Sequence, residues 1–249
     1  MKKKQPLLSI LILSVLPRHE SLKKLILNLQ RQIIKNRLQE KIEIVLYVDN
    51  FEKTVGEKTQ TALDKCNGKY ACGIGDDDEI SDSYCEEIIK AIEVSEADHI
   101  TFNVKVIDNE KDNQTRVECS IKNNIKPSYI WGLPSLHKGK FFGLIRGIKY
   151  YTHTLMVTKL EKTKHLAKFP FTNVGSDEKY YNEIYEKKLL KTEYKIDKTL
   201  YVYHMNHKKS LCHRSHASFN RILARNEKLP KKFFISTDGI NVLNIYNRK

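Results

Sequence analysis

Cysteine is scarce and shows no pairing pattern: Cys66, Cys72, Cys85, Cys119 and Cys212 are five in number and form no CxxC. An odd, scattered set excludes a disulfide framework and points to reduced thiols in a cytoplasmic setting. Long apolar runs are also missing. Leu7 to Leu16 is far too short to span a bilayer. It follows Lys2-Lys3-Lys4, as the apolar part of a signal peptide would. The next residues, Pro17-Arg18-His19-Glu20, offer no small-residue cleavage site, so the run reads as a buried strand. No internal repeat and no linker divides the 249 residues into separate domains. Negative charge is in short supply, with 30 acids against 44 lysines and arginines and a net charge of +14. Such a surplus favours polyanionic partners: nucleic acid, acidic lipid headgroups or a phosphorylated substrate. The lysines are spread along the chain, which a lysine-rich composition alone also produces.

What is present reads as alternating strands and helices. Residues 7–16 predict a fully buried strand. A helix follows with Leu22, Leu25, Ile26, Leu29 and Ile33 on one face. Ile42 to Val48 is a second strand ending at Asp49, and a helix over 56–66 stops at Asn67-Gly68. Tyr70 to Ile74 is a third strand; Ser81 caps a helix that turns Cys85, Ile88, Ile89 and Ile92 inward. Ile100 to Ile107 is a fourth strand. This order argues for a three-layer α/β/α fold with a mostly parallel central sheet. Beyond it, residues 109–128 read as a polar hairpin or excursion, and 131–140 as a loop. Ser176 starts an aromatic helix, Thr199 to Tyr203 forms a short strand, and a last helix starts near Ser215.

In parallel sheets, ligands bind beyond the carboxyl ends of the strands. Pro17, Asp49 and the run Asp76-Asp77-Asp78 all fall at such ends. Consecutive carboxylates repel one another, and a hard divalent cation, Mg²⁺ or Mn²⁺, relieves the repulsion. A cation held there can hold a diphosphate in turn. An isolated acidic triplet is more often a solvated turn.

The order of several short motifs changes that balance. Val55-Gly56-Glu57-Lys58, then Asn67-Gly68-Lys69-Tyr70, then Asp76-Asp77-Asp78 resembles family 2 glycosyltransferases of the GT-A fold. Pro17-Arg18 after the first strand, Asp49 after the second, Gly175-Ser176-Asp177-Glu178, and Leu200-Tyr201-Val202-Tyr203-His204 continue the similarity over roughly residues 7–210. The resemblance implies a GT-A domain over 1–210, with a nucleotide-sugar half to about 107 and an acceptor half after it. Residues 211–249 would then be a basic helix and tail on the same domain. It implies a nucleotide-sugar donor, most simply a UDP-sugar. Pro17, Arg18 and Asp49 would border the nucleotide, with Asp49 near the base. Lys58 would lie near the phosphates.

The same resemblance gives the metal to Asp77 and Asp78, with Asp76 secondary, because Gly75 stands where many members have the first Asp. It makes Asp177 the general base of an inverting transfer. Ser176 stands where the usual Glu of that motif would be, which leaves Glu178 as a rival. An acid in the first turn of a helix is also favoured by the helix dipole alone.

Other residues are less constrained. His204, His207, Cys212, His213 and His216 are residue types that bind zinc, but their spacing matches no standard zinc pattern. A loop closing over the diphosphate with His204 near the metal, or a solvated basic loop, are the competing readings. Trp131, the only tryptophan, lies beside His137 and Lys138. It would stack on donor or acceptor, or anchor the loop to the core. The acceptor stays open between a hydroxymethylated pyrimidine in DNA, flipped out to be reached, and a surface glycan or lipid-linked sugar. A nucleotidyltransferase and a non-catalytic nucleic-acid-binding protein are the alternative classes.

Overall fold

The computed structural model describes residues 5–108, 113–123, 148–150, 152–173, 175–205 and 242–244. The elements are β1 (Leu8–Val15), α1 (His19–Lys35), β2 (Ile42–Asp49), α2 (Val55–Lys65), β3 (Tyr70–Gly75), β4 (Glu79–Ile80) and α3 (Tyr84–Ser95). There follow β5 (His99–Asp108), β6 (Asn113–Cys119), β7 (Ile148–Tyr150), β8 (Val157–Lys159) and the single turn α4 (Leu160–Thr163). Then come α5 (Ser176–Glu186), β9 (Glu193–Met205) and β10 (Val242–Asn244).

The sheet runs β10-β2-β1-β3-β8-β5-β6-β7, with β9 beside β5 and β4 beside β9. β1 pairs in parallel with both β2 and β3, and β5 with β9. Helices cover both faces, as a sheet buried on both sides requires. On one face Ile10, Ile12, Ile44, Leu46, Cys72 and Ile74 pack with α1 and α3. On the other Leu11, Val45, Tyr47 and Ala71 pack with residues of α2 and α5. The three-layer α/β architecture expected from the alternation is the one observed, and the five apolar residues assigned inward on α1 are all buried.

Two expectations change. The helix after the acidic run starts at Tyr84, not at Ser81, and Ser83 at its N-cap makes no side-chain cap bond. Glu79 and Ile80 are drawn into the sheet as β4, against Val202 and Tyr201, and the Ser81 amide continues that pairing to the Leu200 carbonyl. The strand expected at Thr199–Tyr203 is longer, because its whole length from Glu193 follows β5. The polar excursion is in part a hairpin, β5 turning back on β6. The helix expected from Ser215 lies outside the described residues; within the tail, β10 adds a parallel strand to the β2 edge. Among the described residues no helix is long and apolar enough to cross a membrane.

The register positions the site. Val15 lies opposite Asp49, and Leu13 opposite Gly75, so the ends of β1, β2 and β3 arrive at one edge.

Candidate functional site

The three aspartates after β3 occupy three different environments. Asp76 is buried: its Oδ2 accepts from Ser14 Oγ at 2.6 Å and its Oδ1 from Arg18 Nη1 at 2.8 Å. Asp77 points outward, its side chain 44% exposed, with Arg18 Nη1 3.1 Å from Oδ2. Asp78 is buried again, accepting from the Tyr201 hydroxyl at 2.6 Å and from the His204 main-chain N–H at 2.9 Å. The Tyr201 oxygen in turn accepts from the Gly75 N–H at 2.9 Å. Burial raises the affinity of Asp76 for its proton, although Arg18 opposes it. Burial also pushes Asp78 up to about 7 against the Tyr201 hydrogen bond, with Asp77 adding repulsion.

The resemblance gives Asp77 and Asp78 equal standing as metal ligands; the structure separates them. Both Asp78 oxygens are committed inside the protein, and only Asp77 presents a carboxylate outward. Mg²⁺ and Mn²⁺ sites on nucleotides use one or two carboxylates plus phosphate oxygens and water, not an all-protein cage. One exposed hard carboxylate at a strand end fits that mode. Among the described residues no group of three or more His, Cys, Asp or Glu could hold a metal unaided.

Asp49, at the end of β2, is closed rather than open. Its Oδ1 accepts from Lys58 Nζ at 2.8 Å and from the Phe51 N–H at 3.3 Å, and its Oδ2 from the Lys53 N–H at 3.0 Å. These bonds hold the loop in which Phe51 takes a left-handed φ of 65°. Lys58 reaches Asp49 from α2, whose first turn is capped by Thr54 Oγ1. Pro17 is the middle residue of a 3₁₀ turn, Leu16–Arg18, whose last residue bonds Asp76. The His204 ring faces Glu79, Nε2 3.1 Å from Oε1, so its main chain and not its ring meets the acidic run.

Across the edge, Gly175 (φ 71°) turns the chain into α5, whose first turn carries Asp177 and Glu178. A cavity of about 310 Å³ lies between this turn and the strand ends. Arg18, Lys58, Asp76, Asp77, Asp78 and Asp177 all line it. Asp49, Pro17, Glu178 and His204 are not part of its wall. The arrangement places two cations and four carboxylates around one space, open to an anion held through a divalent cation. Trp131, His137, Lys138, His207, Cys212, His213 and His216 lie outside the described residues.

Three contributors receive no role from the motifs, although Tyr201 lies within one of them. Ser14 and Tyr201 fix the acidic run from 62 and 123 residues away. His153 sits 3.9 Å from Asp177, Nε2 to Oδ2. A serine within an apolar strand is the one sequence signal that marks Ser14; nothing marks His153.

The sequence pattern of glycosyl transferase family 2 matches residues 28–167. No curated protein matches the chain by sequence. Among solved structures, S. aureus TarS 1–349 in complex with UDP-GlcNAc is similar at a TM-score of 0.56 and 12% identity, over 87% of this chain and 64% of that one. S. aureus TarS 1–349 gives a TM-score of 0.55 at 14% identity, over 80% and 60%. The chain thus spans roughly three fifths of the length of those structures.

Proposed function

The chain belongs to glycosyl transferase family 2, and from that premise we propose that the cavity binds a nucleoside-diphosphate sugar and passes the sugar to an acceptor hydroxyl. One observation carries this reading. Arg18, Lys58, the acidic run and Asp177 come from four separate segments and converge on a single space at the carboxyl edge of the sheet. That is where open α/β sheets hold ligands. The likeness to a TarS complex with UDP-GlcNAc favours a UDP-sugar as donor.

In this reading Asp177 takes the proton of the acceptor hydroxyl as its oxygen attacks the anomeric carbon. The bond from that carbon to the diphosphate breaks, and the nucleoside diphosphate leaves with the electron pair, so configuration inverts. A divalent cation, Mn²⁺ or Mg²⁺, would be held by Asp77 together with diphosphate oxygens and would offset the charge growing on the leaving group. Arg18 holds Asp76 and Asp77 in place and adds positive charge at the same wall. Asp78 is the strut behind Asp77, tied through Tyr201 to the end of β3. Lys58, paired with Asp49, fixes the loop that borders the nucleotide and supplies a second cation.

The net charge of +14 favours a polyanionic acceptor, and a hydroxymethylated pyrimidine in DNA is the proposal it supports. A surface glycan is the alternative. Hydroxymethylated DNA and plain DNA, each incubated with protein and donor, distinguish them by a hexose-sized mass gain on the modified nucleoside. The donor reading is tested first. A panel of nucleotide sugars with Mn²⁺ is screened for thermal stabilisation and slow release of nucleoside diphosphate. A response to one nucleotide class is expected; silence across the panel contradicts the reading.

A further inference from the structure

We propose that His153 is a positioning residue that sets the orientation of the Asp177 carboxylate; this rests on Asp177 being the base. His153 lies on the segment between β7 and β8, which is pinned on either side of it. Before it, Thr152 is buried with its Oγ1 2.9 Å from His99 Nε2. After it, the Thr154 carbonyl accepts from the Gly73 N–H of β3 at 2.8 Å. A Cβ on Gly73 would stand 2.7 Å from Thr154 Cγ2, so the glycine is what lets the segment come this close. The His153 carbonyl accepts from the Met156 N–H at 2.9 Å, closing the turn.

The ring itself is fixed. It lies parallel to Tyr181 of α5, the planes 10° apart and the centroids 6.3 Å apart. Nδ1 accepts from the Leu155 N–H at 3.4 Å. An imidazole that accepts at Nδ1 carries its proton on Nε2. Burial lowers the His153 pKa to about 4, so the ring is neutral at neutral pH. It therefore presents one N–H, from Nε2, toward Asp177 Oδ2 at 3.9 Å.

That distance is longer than a hydrogen bond, and a small rotation of Asp177 closes it. The Asp177 side chain is 36% exposed and the His153 side chain 17%, so the mobile partner is the aspartate. A donor directed at Oδ2 turns Oδ1 toward the cavity, where an acceptor hydroxyl would stand. Because Nδ1 is already filled by an N–H donor and Nε2 is protonated, the imidazole has no lone pair for the acceptor's proton. His153 acts through Asp177, not in its place.

The test uses the full chain with UDP-GlcNAc and Mn²⁺, following UDP release as the sugar passes to water. His153→Phe keeps an aromatic ring on Tyr181 and removes the N–H; His153→Gln keeps a terminal N–H donor. His153→Phe is expected to lower kcat roughly thirtyfold, less than the roughly 10²–10⁴-fold that loss of an acid–base group itself brings, because Asp177 remains. Its KM for UDP-GlcNAc stays within about twofold of wild type, because the donor site is intact. His153→Gln recovers most of the loss. Adding His153→Phe to Asp177→Asn costs nothing further, since the two act as one unit.

Equal losses in the Phe and Gln variants overturn the proposal, as does a loss confined to KM or a full additional loss in the Asp177→Asn background. Undiminished UDP release by Asp177→Asn removes the base assignment underneath it. Release abolished by Asp177→Asn but untouched by His153→Phe removes only the role of His153. Absence of UDP release from the wild type contradicts the reading of the cavity itself.

Discussion

Two clusters of buried carboxylate sit at opposite ends of the same three strands. At the amino end of β1, Ser9 Oγ donates to Glu43 Oε1, which also accepts from the main-chain N–H groups of Asn67 and Gly68. The Asn67 side chain donates to the other oxygen at 3.3 Å. At the carboxyl end Ser14 donates to Asp76. Each cluster thus begins with a serine of β1, but the first is saturated by neutral donors and lines no part of the cavity described above, whereas the second leads to an exposed Asp77 on its wall. A carboxylate filled by local donors fastens a turn, here the one between α2 and β3. A run of crowded acids whose middle carboxylate is left exposed beside a cavity is suited to a cation the chain does not itself supply.

The comparison can be broken at its closed end first. Glu43→Ala leaves Ser9, Asn67 and Gly68 without their shared acceptor and should cost about 3 kcal/mol. For a chain of this size that lowers the melting temperature by roughly 10 °C. UDP affinity measured well below the transition should not change. An unaltered melting temperature with lost UDP binding would reverse the roles of the two ends.

Gly75→Ala sharpens the comparison at the open end. A Cβ there collides with Asp78 Oδ2, which Tyr201 holds from behind. The expected cost is about 2 kcal/mol of stability. UDP affinity should fall too, because Asp78 is the strut for Asp77. Denaturation and calorimetric titration of the same sample read both; affinity unchanged despite lost stability would detach Asp78 from the site.

The smallest effect concerns pH. The Asp78 carboxyl is raised by burial to about 7 in the folded chain, above its unfolded value. Between those values the folded state holds the extra proton, so this contribution is complete at low pH and lost as pH rises through 7. With chelator present, the stability advantage of wild type over Asp78→Asn should be larger at pH 5 than at pH 8. Equal differences at the two pH values would mean that Asp78 is ionised throughout.

Much of the sheet was legible because parallel strands buried on both faces read as apolar runs, as in Ile44–Val48 of β2. Helix α1 was legible because its inward residues repeat at helical spacing. The position of Asp76–Asp78 at a strand end followed from the same pattern. Pairings between distant residues were not legible. β4 forms only because β9 lies beside it, and that delays α3 to Tyr84. Asp49 reads as a strand-end acid bordering the nucleotide, and its enclosure by Lys58 and the Phe51 and Lys53 amides is seen only in the fold. Ser14, Tyr201 and His153 are single residues whose role depends on a partner between 24 and 123 positions away. No local pattern identifies those partners.

The most direct test is calorimetric titration of UDP into wild type and Asp77→Asn, each with and without Mn²⁺. Wild type should bind UDP tightly only with Mn²⁺. Asp77→Asn should bind weakly and equally in both conditions, at an unchanged melting temperature. Metal-dependent binding that survives in Asp77→Asn would contradict the assignment of the open carboxylate to the diphosphate site.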